Sequence, residues 1–223
     1  TSSVLGFDRP TANSIDSVSD RDFVLEYLSV LSILSIHLSR FSEEYILWSS
    51  AQFGYVKLGD SFSTGSSIMP QKRNPDAAEL IRAKAGRVVG ALSNLLIVMK
   101  ALPLTYGKDM QEDKEPLFDA HDTVSLILAT MTGMLVETSF DTEKMARDSK
   151  MGFLTATDVA DWLVMKLGIP FREAHQLTGQ MVSLAEKKGA ELCELSLSEL
   201  NLIDPRIDKS IFEVLSVQNS LKS

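Results

Sequence analysis

Three long stretches without internal proline carry apolar residues seven apart, and this repeat constrains the fold more than any other feature. From Asp20 to about Ala51 neither proline nor glycine occurs; Val24, Leu31, Leu38 and Tyr45 form one row, and Tyr27, Leu34, Phe41 and Trp48 follow three places later. Paired rows of this kind mark a helix stripe that meets neighbours along its whole length. Ser19 or Asp20 suits the N-cap, with Asp22 in the first turn. A second repeat, Ala78, Ala85, Leu92 and Met99 with Ile81, Val88 and Leu95, predicts a helix from Asn74 as N-cap to about Lys100. Ala83, Gly86, Gly90 and Ala91 would weaken that helix in isolation, but they let a neighbouring axis come close, so they read as a packing face. Pro116 opens a third helix to about Thr138, with Leu117, Val124 and Met131 in one row and Ala120, Ile127 and Met134 in the other. At about 1.5 Å rise per residue these are rods of roughly 35 to 50 Å. Seams that long need more partners than three rods supply. The expectation is an all-α bundle completed by further copies of the chain, with the Gly/Ala face as the closest contact between copies.

Residues 1–19, rich in Ser, Thr, Asp and Asn, read as an irregular leading segment. After Phe140 the elements shorten to about Thr142–Ser149, Thr157–Leu167, Phe171–Lys188, Ser198–Leu202 and Asp208–Val217. Gly168-Ile169-Pro170 and Lys187-Lys188-Gly189 act as helix stops. The domain expectation is therefore a helical bundle over 1–139 and a smaller C-terminal helical domain over 140–223. No strand alternation, internal repeat or low-complexity segment stands out.

A net charge of −8 argues against general nucleic-acid binding. No run of about eighteen uncharged apolar residues occurs, so no membrane span is expected. The first residues show no basic segment followed by an apolar one, so no secretory signal is expected. The single Cys193 has no internal disulfide partner, which fits a reducing cytoplasm, and it reads as a small core residue. His37, His121 and His175 lack ligand spacing, so no metal site is expected. Arg82, Lys84 and Arg87 with Asp76 and Glu79 read equally as a solvated helix face. Gly59-Asp60-Ser61-Phe62 mimics an esterase nucleophile block, but no strand precedes it and no Asp-x-x-His lies near the C-terminus. No GxxxxGK phosphate loop occurs.

The densest chemistry lies in Gly65-Ser66-Ser67-Ile68-Met69-Pro70-Gln71-Lys72-Arg73-Asn74. Two hydroxyls, a fixed bend, an ammonium and an amide lead into Pro75 and a helix start, a place that favours negative charge. This stretch resembles the signature loop of the fumarase/aspartase superfamily, Gly-Ser-Ser-x-Met-Pro-x-Lys-x-Asn, at every fixed position. The segments Asn13 to Phe23 and Tyr106 to Glu115 resemble the argininosuccinate lyase family in particular. That resemblance implies the long-helix bundle of the superfamily and reversible elimination of argininosuccinate to arginine and fumarate, without a cofactor, in a homotetramer. Ser66 is implied to transfer a proton, as base or acid. Lys72 holds a substrate carboxylate or stabilises the Ser66 alkoxide. Glu79 matches the position that orients a catalytic histidine, and otherwise reads as a surface carboxylate. Asn74 and Gln71 are implied to contact substrate, although Asn74 could instead cap the helix. Arg21, Asp22, Tyr106, Gln111 and Lys114 match substrate-binding positions. Without the resemblance, 108–115 would read as a solvated loop and Asp22 as an ordinary first-turn acid.

Relatives of that family carry a histidine on a preceding domain, and nothing in this chain matches it. The resemblance implies active sites assembled from several subunits, so this chain alone is not expected to turn over substrate. A sibling lyase acting on adenylosuccinate, aspartate or malate, and a non-catalytic crystallin-like protein, are the alternatives.

Overall fold

The computed structural model describes residues 2–65, 68–69, 72–149 and 151–216. It divides into two compact units, the first ending at Asp141 and the second beginning at Thr142. The first unit is built on three rods: α2 (Asp22–Ser49), α3 (Asp76–Met99) and α4 (Lys114–Val136). Val24, Leu28 and Leu31 from the start of α2 pack with Val88, Ala91 and Leu95 from the second half of α3 and with Ala120 and Val124 from the start of α4. A second cluster joins Tyr45 near the end of α2, Ala78 and Ile81 at the start of α3, and Ile127, Met131 and Met134 near the end of α4. The middle rod therefore runs antiparallel to the two that flank it.

The apolar rows of α3 and α4 face this core much as their spacing predicts. In α2 the first row does so, but only part of the expected second row does: Leu34 and Trp48 pack against the core, whereas Tyr27 and Phe41 are exposed. The buried positions are instead Leu28, Ser35 and Ser42, one residue further on. Serine adds nothing to an apolar count, yet its small size lets a neighbouring helix approach. Ser32 satisfies its hydroxyl on the Leu28 carbonyl at 2.7 Å, while the Ser35 and Ser42 hydroxyls are buried without a partner among the described residues.

Several local expectations are corrected. The leading segment contains a short helix, α1 (Ser14–Ser19), capped by Asn13, whose side chain accepts from the Ile15 and Asp16 N–H groups. At α2 the N-cap is Arg21, not Ser19 or Asp20, although the Asp20 carboxylate still accepts from the Asp22 N–H at 2.6 Å. Residues 108–113 form a 3-10 turn with Met110 and Asp113 buried, so this charged run is not the solvated loop that it would read as without the resemblance. Among the described residues four two-residue strands occur, too short for alternation to be legible: β1 (Val56–Lys57) pairs with β4 (Ser139–Phe140), and β2 (Thr64–Gly65) with β3 (Arg73–Asn74), both antiparallel. The helical stretch Ser14–Ser49 is, by length and composition, apolar enough to cross a membrane. Its longest run free of Asp, Glu, Lys and Arg is Tyr27–Ser39, bounded by Glu26 and Arg40, so the expectation that no long uncharged apolar run occurs still holds.

The second unit comprises α5 (Thr142–Asp148), α6 (Ala156–Leu167), α7 (Phe171–Lys188), α8 (Leu197–Ile203) and α9 (Ile211–Val214). Val159, Leu163, Ala174, Met181, Leu195, Leu200 and Ile211 belong to its core. Gly168 and Gly189 end α6 and α7 at φ 65° and 63°, a left-handed conformation that glycine adopts without Cβ strain. At the start of α8, Ser196 and Glu199 form a capping box, and Lys188 donates to Glu199 at 2.5 Å. The Lys188 bond and those from Ser196 bring the Glu199 carboxyl down to about 2. The last helix is shorter than predicted, and Val217 lies outside the described residues.

Cys193 is exposed rather than in the core. It sits in a 3-10 turn where Leu192 and Leu195, three apart, both point inward, which turns the two residues between them, Cys193 and Glu194, outward. The native protein is therefore expected to react with a thiol reagent at Cys193 without denaturant, and protection until unfolding would contradict this placement.

Candidate functional site

The ends of the signature stretch are pinned by the β2–β3 ladder, in which Thr64 pairs with Asn74 and Gly65 with Arg73. Ahead of the ladder a 3-10 turn, Asp60–Phe62, packs on α4, and Asp60 forms an ion pair with Arg73 across the stem. Behind it Pro75 is the N-cap of α3, with no side-chain cap hydrogen bond. Asn74 is thus a strand residue and not the predicted helix cap. Pairing with Thr64 holds it extended, and its amide is not committed to capping.

Ser66 and Gln71 lie outside the described residues. Lys72 is exposed, its N–H bonded to the Met69 carbonyl at 3.0 Å, and it pairs with none of the described acids. Glu79 is exposed in the first turn of α3, four residues after the Pro75 carbonyl that its N–H meets at 2.9 Å. Because Asp76 and Glu79 already face the positive end of α3, that dipole is partly neutralised. With Arg73 also paired, attraction for an anion falls mainly to Lys72.

The second group of predicted residues gathers around one carboxylate that sequence reasoning did not single out. Asp113 is buried; its oxygens accept from Arg21 Nε at 2.5 Å and Lys114 Nζ at 2.7 Å. Arg21 also donates to the Asp20 carbonyl at 2.6 Å. The structure so joins Arg21, at the head of α2, to Lys114, at the head of α4. Burial alone would push the Asp113 carboxyl up, but the hydrogen bonds from Lys114 and Arg21 outweigh it and hold it below the usual carboxylate range. Around this anchor Asp22, Tyr106, Gln111 and the Lys114 side chain are exposed. In the sequence Asp113 stands between Glu112 and Lys114 in a dense charge run that does not single it out, and both its burial and its pairing with Arg21 depend on tertiary packing.

The two groups are not brought together within one copy. Lys72, Asn74 and Glu79 stand at the start of α3, whereas the Asp113 group lies beyond its far end; 24 residues at about 1.5 Å each put roughly 36 Å between them. Among the described residues no cluster of three or more His, Cys, Asp or Glu is arranged to hold a metal ion.

Asp113 supports a test. A carboxyl whose folded pKa is lowered contributes stability that is present above its unfolded pKa and is lost as pH falls through the folded one. Asp113→Asn is expected to cost about 1–3 kcal/mol in urea unfolding at neutral pH, since it leaves Arg21 poorly matched. The deficit should shrink as pH falls below about 4, where Asp113 takes up a proton in the unfolded chain before it does so in the folded one. A deficit that stays constant across this range would show that the charge is not the source.

Two family models match the chain: one described as Lyase, over residues 2–90, and one described as Argininosuccinate lyase C-terminal, over residues 153–222. Among solved structures, an EDDS lyase in complex with formate is 31% identical, with TM-score 0.87, over 99% of this chain and 46% of that one. A variant of EDDS lyase with bound fumarate is 30% identical, with TM-score 0.86, over the same shares. The 3-carboxy-cis,cis-muconate lactonizing enzyme from Pseudomonas putida is 26% identical, with TM-score 0.70, over 98% of this chain and 51% of that one. The chain thus spans about half the length of the structures it matches. The helical fold, the signature stretch and the two family models agree with one another, and together they support the fumarase/aspartase superfamily of lyases.

Proposed function

We propose that this chain is part of a fumarate-releasing carbon–nitrogen lyase that reversibly splits argininosuccinate into arginine and fumarate. The observation that carries the reading is the placement of Lys72, exposed and paired with none of the described acids, two residues before Asn74 of a ladder that opens directly into α3. In such an elimination a base removes a Cβ proton of the succinyl group, the C–N bond breaks toward nitrogen, and a C=C bond forms as the nitrogen takes up a proton. Charge grows on the carboxylate next to the abstracted proton, and preorganised donors there lower the barrier. Lys72 and Asn74 are the donors proposed for that carboxylate, Ser66 the proton-transfer group, and Gln71 a further substrate contact. Glu79 is proposed to orient a histidine from another subunit. Arg21, Asp22, Tyr106, Gln111 and Lys114 are proposed to bind the arginine half, with Arg21 acting through Asp113.

The substrate assignment draws support from the C-terminal match over 153–222. Since the two groups stand at opposite ends of α3, each active site is proposed to take them from different copies, in a homotetramer. Exposed Phe23, Ile33, Ile97, Phe118 and Val136 on the rods support that assembly, which mass measurement in solution would test. The single cysteine fits the cytoplasm. A second reading, a substrate closer to that of EDDS lyase, is favoured by the 31% identity over 99% of the chain, and a substrate profile separates the two.

The test is fumarate release, followed by ultraviolet absorbance in the full-length protein. Ser66→Ala is expected to lower kcat on the order of 10² to 10⁴-fold. A change of less than about threefold would remove Ser66 from the chemistry, and no release from any succinyl amine by the native protein would overturn the lyase reading.

A further inference from the structure

The last turn of α4 holds a seat for the segment that leads into the signature stretch. Gly133 lies inside α4 with the Phe62 ring directly over it: a Cβ there would clash with ring atom Cζ and lie 3.2 and 3.3 Å from Cε1 and Cε2. One helical turn on, a Cβ at Gly59 would lie 2.5 Å from the Glu137 Cβ and closer still to its carboxylate. Gly133 and Glu137 are four apart on the helix and so share a face; Gly59 and Phe62 are three apart in a 3-10 turn and also stack. Two contacts spaced alike on both partners thus fix the turn on the rod in one register. Further bonds tighten the turn itself, from the Phe62 N–H at 3.1 Å and the Ser63 hydroxyl at 3.0 Å to the Gly59 carbonyl. Phe62 also packs against the apolar cluster at this end of the bundle. Two residues after it the β2–β3 ladder begins.

A glycine within a helix is about 1 kcal/mol less favourable than alanine. At Gly133 that deficit is offset by the ring it admits, and the ring belongs to the stem of the reactive loop and not to a neighbouring rod. Gly86 and Gly90 of α3, by contrast, would meet nothing within 4 Å if given a Cβ. We propose that Phe62 and Gly133 are positioning residues: the ring seated on the glycine sets where the β2–β3 stem stands, and with it Lys72 and Asn74. The proposal rests on the lyase reading for its effect on catalysis, but the mechanical coupling stands apart from that reading.

The experiment compares Gly133→Ala, Phe62→Leu and the double variant in the full-length protein, by fumarate release, thermal unfolding and amide hydrogen exchange. Misplacement by about 1 Å can cost on the order of 10²-fold in rate, so Gly133→Ala is expected to lose about 10- to 100-fold in kcat/KM. Leucine lacks the three ring atoms nearest the added methyl, so the double variant is expected to regain most of that loss. Amides of Thr64, Gly65, Arg73 and Asn74 should exchange faster in Gly133→Ala and recover in the double variant, with Ile127 in the middle of α4 unchanged. A purely structural role would lower the melting temperature without changing the activity of the folded protein. Activity of Gly133→Ala within about twofold of native, or ladder exchange unaltered by it, overturns the proposal. If the native protein releases no fumarate, the lyase reading fails, and the exchange data alone decide the coupling.

Discussion

The structure of the first unit depends on the burial of α3 between two rods that run the other way. Ala78, Val88 and Leu95 are fully covered along its length, at positions that reach from its first turn to its last. Apolar burial of this kind is the dominant favourable term in folding. Here it also has a geometric effect, because an antiparallel middle rod must have a connection at each end. One connection carries the signature stretch and the other carries the 3-10 turn with Asp113. Chemistry is thereby placed at the two extremes of a stiff element, where helix ends and short connections leave polar groups accessible.

The two ends treat charge in opposite ways. Around Asp113 a buried carboxylate is matched by a mostly buried guanidinium and a surface ammonium, an arrangement that tolerates burial because each charge has a partner. It ties the heads of α2 and α4 together and leaves little of Arg21 for a ligand. At the loop end Arg73 is matched by Asp60, while Lys72 is left facing solvent without a described partner. An unmatched cation contributes little to the stability of its own chain, and it is available to whatever anion arrives.

The rods could be read from the sequence because apolar spacing survives whatever the neighbours are. The seam of α2 was legible only by half: Ser35 and Ser42 are buried for their size, and hydrophobic counting has no term for that. Asn74 looked like a cap because it precedes a proline and a helix, but pairing with Thr64, ten residues earlier, takes precedence over the local preference. Cys193 looked like core because its surroundings are apolar, and the period of a 3-10 turn placed it outward. At the site, the signature stretch with Lys72 and the segments Asn13 to Phe23 and Tyr106 to Glu115 were recognisable as patterns. Asp113 as the hub that joins Arg21 to Lys114, and Gly133 as the floor beneath the stem of the signature stretch, depend on contacts between distant residues that no local pattern encodes.

The large apolar side chains left uncovered on the rods have a thermodynamic consequence. Phe23, Ile97 and Val136 expose 67%, 68% and 80% of their surface, while small residues such as Ala78, Ala91 and Ala120 occupy the interior. If further copies cover those outer faces, as the proposed assembly requires, part of the free energy that holds each chain together resides in its neighbours. By mass action, folding and association then become one equilibrium, and the melting temperature rises with protein concentration instead of being a constant of the chain.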